Sequence, residues 1–291
     1  MRTCVAWLSV LVLGACAAPL PGGATGGPTT EPTPTPTPTP SPTDPYFFAA
    51  LGDWGTGLAP SSDVARTMCS WRVRHGFDIV VTAGDNIYPD GSRANFRPNF
   101  YRPFRCLLSS GVRFKSTLGN HDVVTRNGRP ELRQDRFGFR GRNYVMRKGG
   151  VRFVMANSNS LDRDWLDHAL QARPGDRWTI VVFHHPVYSP GEHGSTPGFG
   201  DLPRMFARNG VDLVINGHDH LYSVTRPLRR IRYVVTGGGG ASPYACDRKW
   251  FTARCRTRYH FLYVRAGQDE LRARAVDTNG RVFHRFSTAG R

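Results

Sequence analysis

The sequence predicts an α/β fold, a four-layer α/β/β/α sandwich in which two stacked mixed sheets are flanked by helices. Three observations carry that prediction. Short runs rich in Val, Ile and Phe stop abruptly at Gly, Asp, Asn or His, and they do so repeatedly from Tyr46 onward. Several of these runs are almost wholly apolar, as strands covered on both faces must be. Between and after them lie helix-length segments and hairpin signals, which favour two stacked sheets over one open sheet.

Taken in order, "YFFAALGDWG" ends at Asp53, and a helix over 62–75 follows Pro60-Ser61. "FDIVVTAGDNIY" ends at Asp85 and "VRFKSTLGNHD" at Asn120 and His121. "RWTIVVFHHP" ends at His184 and His185, and "VDLVINGHDH" at His218 and His220, with helices over 164–173 and 202–209 around them. Alternating strands and helices argue largely parallel pairing, with ligand sites outside the carboxyl ends of the strands. All five polar clusters are thereby expected to converge on one edge. "NYVMRKGGVRFVMANSN" reads as a hairpin turning at Lys148-Gly149-Gly150, and "ELRARAVDTNGRVFHRF" as another around Thr278-Asn279-Gly280. "RRIRYVVTGGGGAS" is a strand that breaks into a glycine-rich loop.

The N-terminus is of another kind. "MRTCVAWLSVLVLGAC" places Arg2 before an apolar stretch over 5–13, the layout of a secretory signal peptide and too short for a membrane-spanning helix. Leu13-Gly14-Ala15-Cys16 resembles a bacterial lipobox, which implies a lipoprotein signal peptide at 1–15 and a lipid on Cys16; ordinary cleavage near Ala17 or Ala18 is the alternative. Residues 16–45 then form a Thr/Pro-rich linker with no apolar bulk for a core. Where proline dominates it should extend by about 3.1 Å per residue. The enzyme-sized domain is 46–291, exported and lipid-anchored to the cell membrane. Cys69, Cys106, Cys246 and Cys255 remain, an even set that reads as two disulfides in an oxidising compartment. The preferred pairs are Cys69–Cys106 and Cys246–Cys255; no Cys-x-x-Cys spacing supports a zinc site.

The formal charge is +17, and Lys115, Lys148 and Lys249 are the only lysines. The arginines are dispersed rather than striped, so no specific nucleic-acid partner is expected, although the charge would attract anionic substrates. A monomer is expected.

The five clusters supply oxygen and nitrogen donors without thiolate, which suits iron, manganese or zinc. They hold too many donors for one ion at an open site, so two metals bridged by a carboxylate are expected. Read alone, Asp53 and Asp85 could be helix N-caps, Tyr88 a buried structural tyrosine, and His121 with Asp122 a surface pair. Of His184 and His185, only one should point into the site from a strand end.

The ordered set "GDWG", "GDNIY", "GNHD", "VVFH" and "GHDH" resembles the calcineurin-like metallophosphoesterase superfamily, and more closely its purple acid phosphatase branch. The resemblance spans about 46–245. It implies that Asp85 bridges the metals, that Asp53, Tyr88 and His220 complete one site, and that Asn120, His184 and His218 complete the other. It selects His184 over His185, which stands where relatives often carry an aromatic residue. A phenol with a pKa of about 10 binds as phenolate only to a strong Lewis acid, so Tyr88 points to Fe(III) beside a divalent Fe, Zn or Mn. His121 and His193 match residues that contact substrate or leaving group, and Asp122 could orient His121. Asn157-Ser158-Asn159 departs from the family, which often has an aspartate there. Asp219 is expected to point away from the metals and has no assigned role, and His75, His168, His260 and His284 match no block and read as surface or packing residues. The implied reaction is phosphomonoester hydrolysis by in-line attack of a metal-bound hydroxide, with an acidic optimum. Two other readings stay open: a phosphodiesterase or nucleotidase on the same fold, and a non-catalytic surface lipoprotein with a relic site.

Overall fold

The computed structural model describes residues 44–290, so the expected signal peptide, Cys16 and nearly all of the expected linker lie outside the described residues. In chain order the strands are β1 (Tyr46–Leu51), β2 (Ile79–Thr82), β3 (Arg113–Ser116), β4 (Tyr144–Lys148), β5 (Val151–Met155) and β6 (Trp178–Val182). They continue as β7 (Leu213–Asn216), β8 (Tyr222–Thr225), β9 (Arg232–Thr236), β10 (Thr252–Arg256), β11 (His260–Ala266), β12 (Glu270–Asp277) and β13 (Val282–Ala289). The helices are α1 (Ala59–His75), α2 (Arg105–Ser109), α3 (Arg129–Leu132), α4 (Arg163–Ala169) and α5 (Leu202–Arg208).

One sheet has the order β13-β12-β11-β1-β2-β3 and the other β10-β8-β9-β7-β6-β5-β4. Each is mixed. β1, β2 and β3 pair parallel, as do β5, β6, β7 and β9, and every other pairing is antiparallel, which leaves the parallel strand β3 at one edge of the first sheet. Alternation along β1 shows why the strands are apolar on both faces. Phe48 and Ala50 enter the core between the sheets, whereas Ala49 and Leu51 turn out to meet Val64 and Met68 of α1. A third core packs Val181 and Val214 against Leu166 of α4 and Phe206 of α5. Three cores separate four layers, the expected α/β/β/α sandwich.

Both expected hairpins are present, β4–β5 and β12–β13, as are both disulfides, Cys69–Cys106 and Cys246–Cys255. The first ties α1 to α2. Three boundaries differ from the sequence reading. α1 begins at Ala59, because Pro60 fits the first turn, where a missing N–H costs nothing. α4 stops at Ala169, ahead of the turn around Pro174-Gly175. α5 ends at Arg208, with Asn209 as its cap. β8, β10 and β11 were not anticipated. β11 is the antiparallel partner that covers the outer side of β1. Among the described residues no helix is long and apolar enough to cross a membrane.

His260 packs inside this frame. Its ring is fully buried, with Nε2 at 3.0 Å from Thr236 Oγ1 and Nδ1 donating to the Arg258 carbonyl at 2.9 Å. Burial pulls its pKa down to about 4. Because the folded value lies below the unfolded one of about 6.5, protonation favours unfolding. Stability held above pH 6.5 therefore drains as the pH falls toward 4, by about 3 kcal/mol in full. His260→Gln should flatten that part of a Tm-against-pH curve; an unchanged acid limb would refute this.

Candidate metal centre

The parallel strands deliver the polar clusters to one place. Asp53 follows β1, Asp85 and Tyr88 follow β2, Asn120 and His121 follow β3, His184 and His185 follow β6, and His218 and His220 follow β7. Asp53, Asp85 and His218 sit at positive φ of 56°, 49° and 73°, where a side chain is strained by about 1–3 kcal/mol. Such backbone lets the chain break sharply from the strand and turn its donor inward. Two glycines make the convergence possible: a Cβ at Gly119 would meet the Asp85 carboxylate, and one at Gly217 would meet that of Asp53.

The donor atoms form two groups that share one oxygen. Tyr88 Oη lies 3.0 Å from Asp85 Oδ2, 3.4 Å from Asp53 Oδ1 and 3.2 Å from His220 Nε2. On the other side, His184 Nε2 lies 3.5 Å from the same Asp85 Oδ2, 2.8 Å from Asn120 Oδ1 and 3.2 Å from His218 Nδ1. His218 Nδ1 is 3.0 Å from Asn120 Oδ1. Ligands held about 2.1 Å from a common ion stand roughly 3.0–3.4 Å apart, so both groups have the spacing of a coordination shell.

Proton bookkeeping argues the same way. His184 Nδ1 donates to the Ala83 carbonyl at 2.8 Å, and His220 Nδ1 donates to the Ser242 carbonyl at 2.9 Å. Each bond fixes a tautomer with the Nε2 lone pair facing the cluster. His184 Nε2 and Asn120 Oδ1 then point lone pairs at one another, and a single proton on His218 Nδ1 cannot satisfy both fully. Burial, followed by the charge of Asp85, holds the Asp53 carboxyl well above the usual range. Burial raises the Asp85 carboxyl as well, and burial then Asp53 raises the Tyr88 phenol. Burial and neighbouring histidines push His184 well down and His218 to about 2. Acids that resist ionising and bases that resist protonation, packed together, are completed by cations.

A buried hub holds these loops. Asn86 Oδ1 accepts from Thr82 Oγ1 at 2.6 Å and Trp54 Nε1 at 3.2 Å, while its Nδ2 donates to Asp122 Oδ2 at 2.9 Å and Glu131 Oε2 at 3.1 Å. Asp122 is not where the sequence reading put it. Its carboxylate is fully buried and accepts the backbone N–H groups of Asn86, Ile87 and Gly119 at 2.7–3.0 Å. The His121 ring is oriented instead by the Pro89 carbonyl, 2.6 Å from Nδ1, and by Tyr88, whose ring centroid is 4.4 Å away. Burial raises the Asp122 pKa to about 7 and holds the Glu131 carboxyl well above the usual carboxylate range. Asp122 is thus a loop anchor.

Two more residues depart from the sequence reading. His185 faces the cluster together with His184: a ring nitrogen from each lies within 4.8 Å of the others in a group with His218. β6 ends at Val182, so strand alternation no longer governs either histidine. Ser158 Oγ holds His185 Nδ1 at 2.8 Å, and Asn159 Nδ2 reaches the Gly119 carbonyl at 3.2 Å, so the divergent Asn-Ser-Asn stretch still supports the site. Asp219 acquires a task. Buried between the two histidines, it accepts the His193 backbone N–H at 2.9 Å and the Ser189 hydroxyl, and so pins the loop that stacks the exposed His193 ring 4.3 Å from His218. Tyr244, missed in the sequence, stacks on His220 at 4.2 Å.

Residues 46–222, more than half of the chain, match the calcineurin-like phosphoesterase family. The chain belongs to that family. Among curated relatives of this phosphoesterase, purple acid phosphatase 7 of Arabidopsis thaliana is 27% identical over 84% of this chain and 86% of its own length. Tartrate-resistant acid phosphatase type 5 of Rattus norvegicus is 23% identical, over 82% and 89%. The solved purple acid phosphatase PPD1 of yellow lupin superposes with a TM-score of 0.73 at 18% identity, over 85% of this chain. The phosphoesterase described here spans about half of the lupin chain, 54%, and that likeness speaks for the fold.

Proposed function

We propose that this phosphoesterase is a phosphomonoesterase of the purple acid phosphatase type, with Fe(III) and a divalent Fe, Zn or Mn ion and an acidic optimum. The observation that carries it is the shared oxygen Asp85 Oδ2, which lies between a group containing a phenol and a group containing an amide and two imidazoles. In this reading Asp53, Asp85, Tyr88 and His220 hold one ion, and Asp85, Asn120, His184 and His218 the other. When bound, the ions supply Lewis-acid activation of water and neutralise charge on the phosphoryl oxygens.

The remaining work falls to the chain. Nδ1–H of His121 donates to the Pro89 carbonyl, so Nε2 gives a proton to the departing alkoxide, or hydrogen-bonds a phosphoryl oxygen, when the ring carries a second proton as imidazolium. His193, at the exposed mouth, is placed for substrate contact by the Asp219 anchor. The two disulfides support export; protein recovered in the cytoplasm with reduced cysteines would contradict it.

Elemental analysis and the visible spectrum of the purified protein test the assignment. Iron and a tyrosinate band that bleaches in Tyr88→Phe are expected, together with preference for a phosphate monoester over a diester. A colourless, iron-free protein would remove the purple assignment, and a preference for the diester would favour a phosphodiesterase.

A further inference from the structure

Several solvent-facing arginines sit against a neighbouring carboxylate: Arg66 with Asp63, Arg163 with Asp201, Arg208 with Asp167 and Arg258 with Asp277. One cleft breaks that habit. Arg93, Arg126, Arg129 and Arg133 line a cavity of about 410 Å³ floored by Phe96 and Pro130. No carboxylate lines it, and among the described residues none of the four arginines has a salt bridge. All four are exposed. Four guanidinium groups around one concavity repel one another unless an anion sits among them. Their planar forks match phosphate oxygens in pairs, which a scattered set of ammonium groups would not.

The cleft is joined to the metal centre by a short, braced loop. Arg126 lies five residues beyond His121, so their Cα atoms are at most about 17 Å apart. The loop is held at both ends. Val124 N–H donates to the His121 carbonyl at 3.3 Å, and Thr125 N–H donates to the Asp90 carbonyl at 3.0 Å, next to the Pro89 that orients the His121 ring. Arg126 and Asn127 then take positive φ, 49° and 54°, and Arg142 holds that turn through the Asn127 carbonyl at 2.5 Å and Asn127 Oδ1 at 3.3 Å. Strain of this kind persists where the surroundings over-determine it, and here it fixes where the Arg126 side chain leaves the loop.

We infer that this cleft is a second phosphate subsite, which binds the distal phosphates of a phosphoanhydride chain whose terminal phosphate is hydrolysed at the metal centre. The inference rests on the phosphatase reading above. It makes selectivity for polyphosphorylated substrates a property of residues 93 and 126–133, outside the blocks that hold the metals. The cleft acts on substrate binding and leaves the chemistry at the metal centre unchanged.

The test is the triple variant Arg126→Gln, Arg129→Gln, Arg133→Gln in the full-length holoenzyme, assayed on tripolyphosphate and on p-nitrophenyl phosphate. The expected result is a loss of roughly tenfold or more in kcat/KM for tripolyphosphate, carried by KM, with the monoester changed by no more than about twofold. Equal loss on both substrates, or no loss on tripolyphosphate, overturns the subsite. A second arm is calorimetric titration of tripolyphosphate into chelator-treated protein, where the variant should bind about tenfold more weakly. Unchanged binding in that arm also overturns it. If the wild type hydrolyses neither substrate, the phosphatase reading fails, and the calorimetric arm still decides whether the cleft holds phosphate. Loss of binding to anionic vesicles with tripolyphosphate binding intact would make the cleft a membrane contact and overturn the proposal.

Discussion

Asp85→Asn is expected to lower phosphoesterase activity by about a thousand-fold or more, about 4 kcal/mol of lost stabilisation, and to lower the metal content of the purified protein. The substitution keeps the shape of the side chain and removes the one negative charge common to both donor groups. Asp85 Oδ2 faces Tyr88 on one side and His184 on the other, and Oδ1 accepts the His121 N–H at 3.0 Å. The stability signature has the opposite sign. Burial makes the Asp85 charge unfavourable in the absence of cations, so metal-free Asp85→Asn should melt no lower than the metal-free wild type. A generally damaging substitution would lower both. Elemental analysis, kcat and melting curves with and without chelator separate the cases. A folded Asp85→Asn protein that keeps both metals and its activity would end the two-group assignment.

Removal of metal is expected to lower the melting temperature by ~10 °C. A ligand present at about a thousand times its Kd adds about 4 kcal/mol, and a domain of this size shifts by roughly 2–4 °C per kcal/mol. The physical source is the crowding of Asp53, Asp85, Tyr88, His184 and His218, a set whose lone pairs converge with no Lys or Arg among them. Readdition of zinc, manganese or iron should restore the transition. Complete chelation with no change in Tm would mean that the donor groups do not hold metal. The test needs no turnover, so it stands apart from any choice of substrate.

Much of this was legible in the chain before any coordinate was known, and for definite reasons. An apolar run covered on both faces can end only where the backbone leaves the sheet, and Gly52, Gly84, Gly119 and Gly217 mark those exits beside the donors. The hairpins at Gly149-Gly150 and Asn279-Gly280 were equally plain, because turn chemistry is local. β11 escaped notice because its meaning lies in its partner, β1, more than two hundred residues away. Asp122 was assigned to its sequence neighbour His121, whereas its carboxylate is taken by backbone groups of the loop after β2.

By itself, the sequence determined which residue types arrive at the strand ends, and so the fold class and the hard-donor character of the site. Tertiary structure decided which atoms meet: that one oxygen of Asp85 serves both groups, that His185 turns inward beside His184, that Asp219 anchors the His193 loop, and that four arginines share a cleft. The physical reason is one of range. Strand endings and turns depend on neighbours a few residues away, whereas the direction of a loop side chain depends on φ, ψ and packing partners that the fold brings in from elsewhere in the chain.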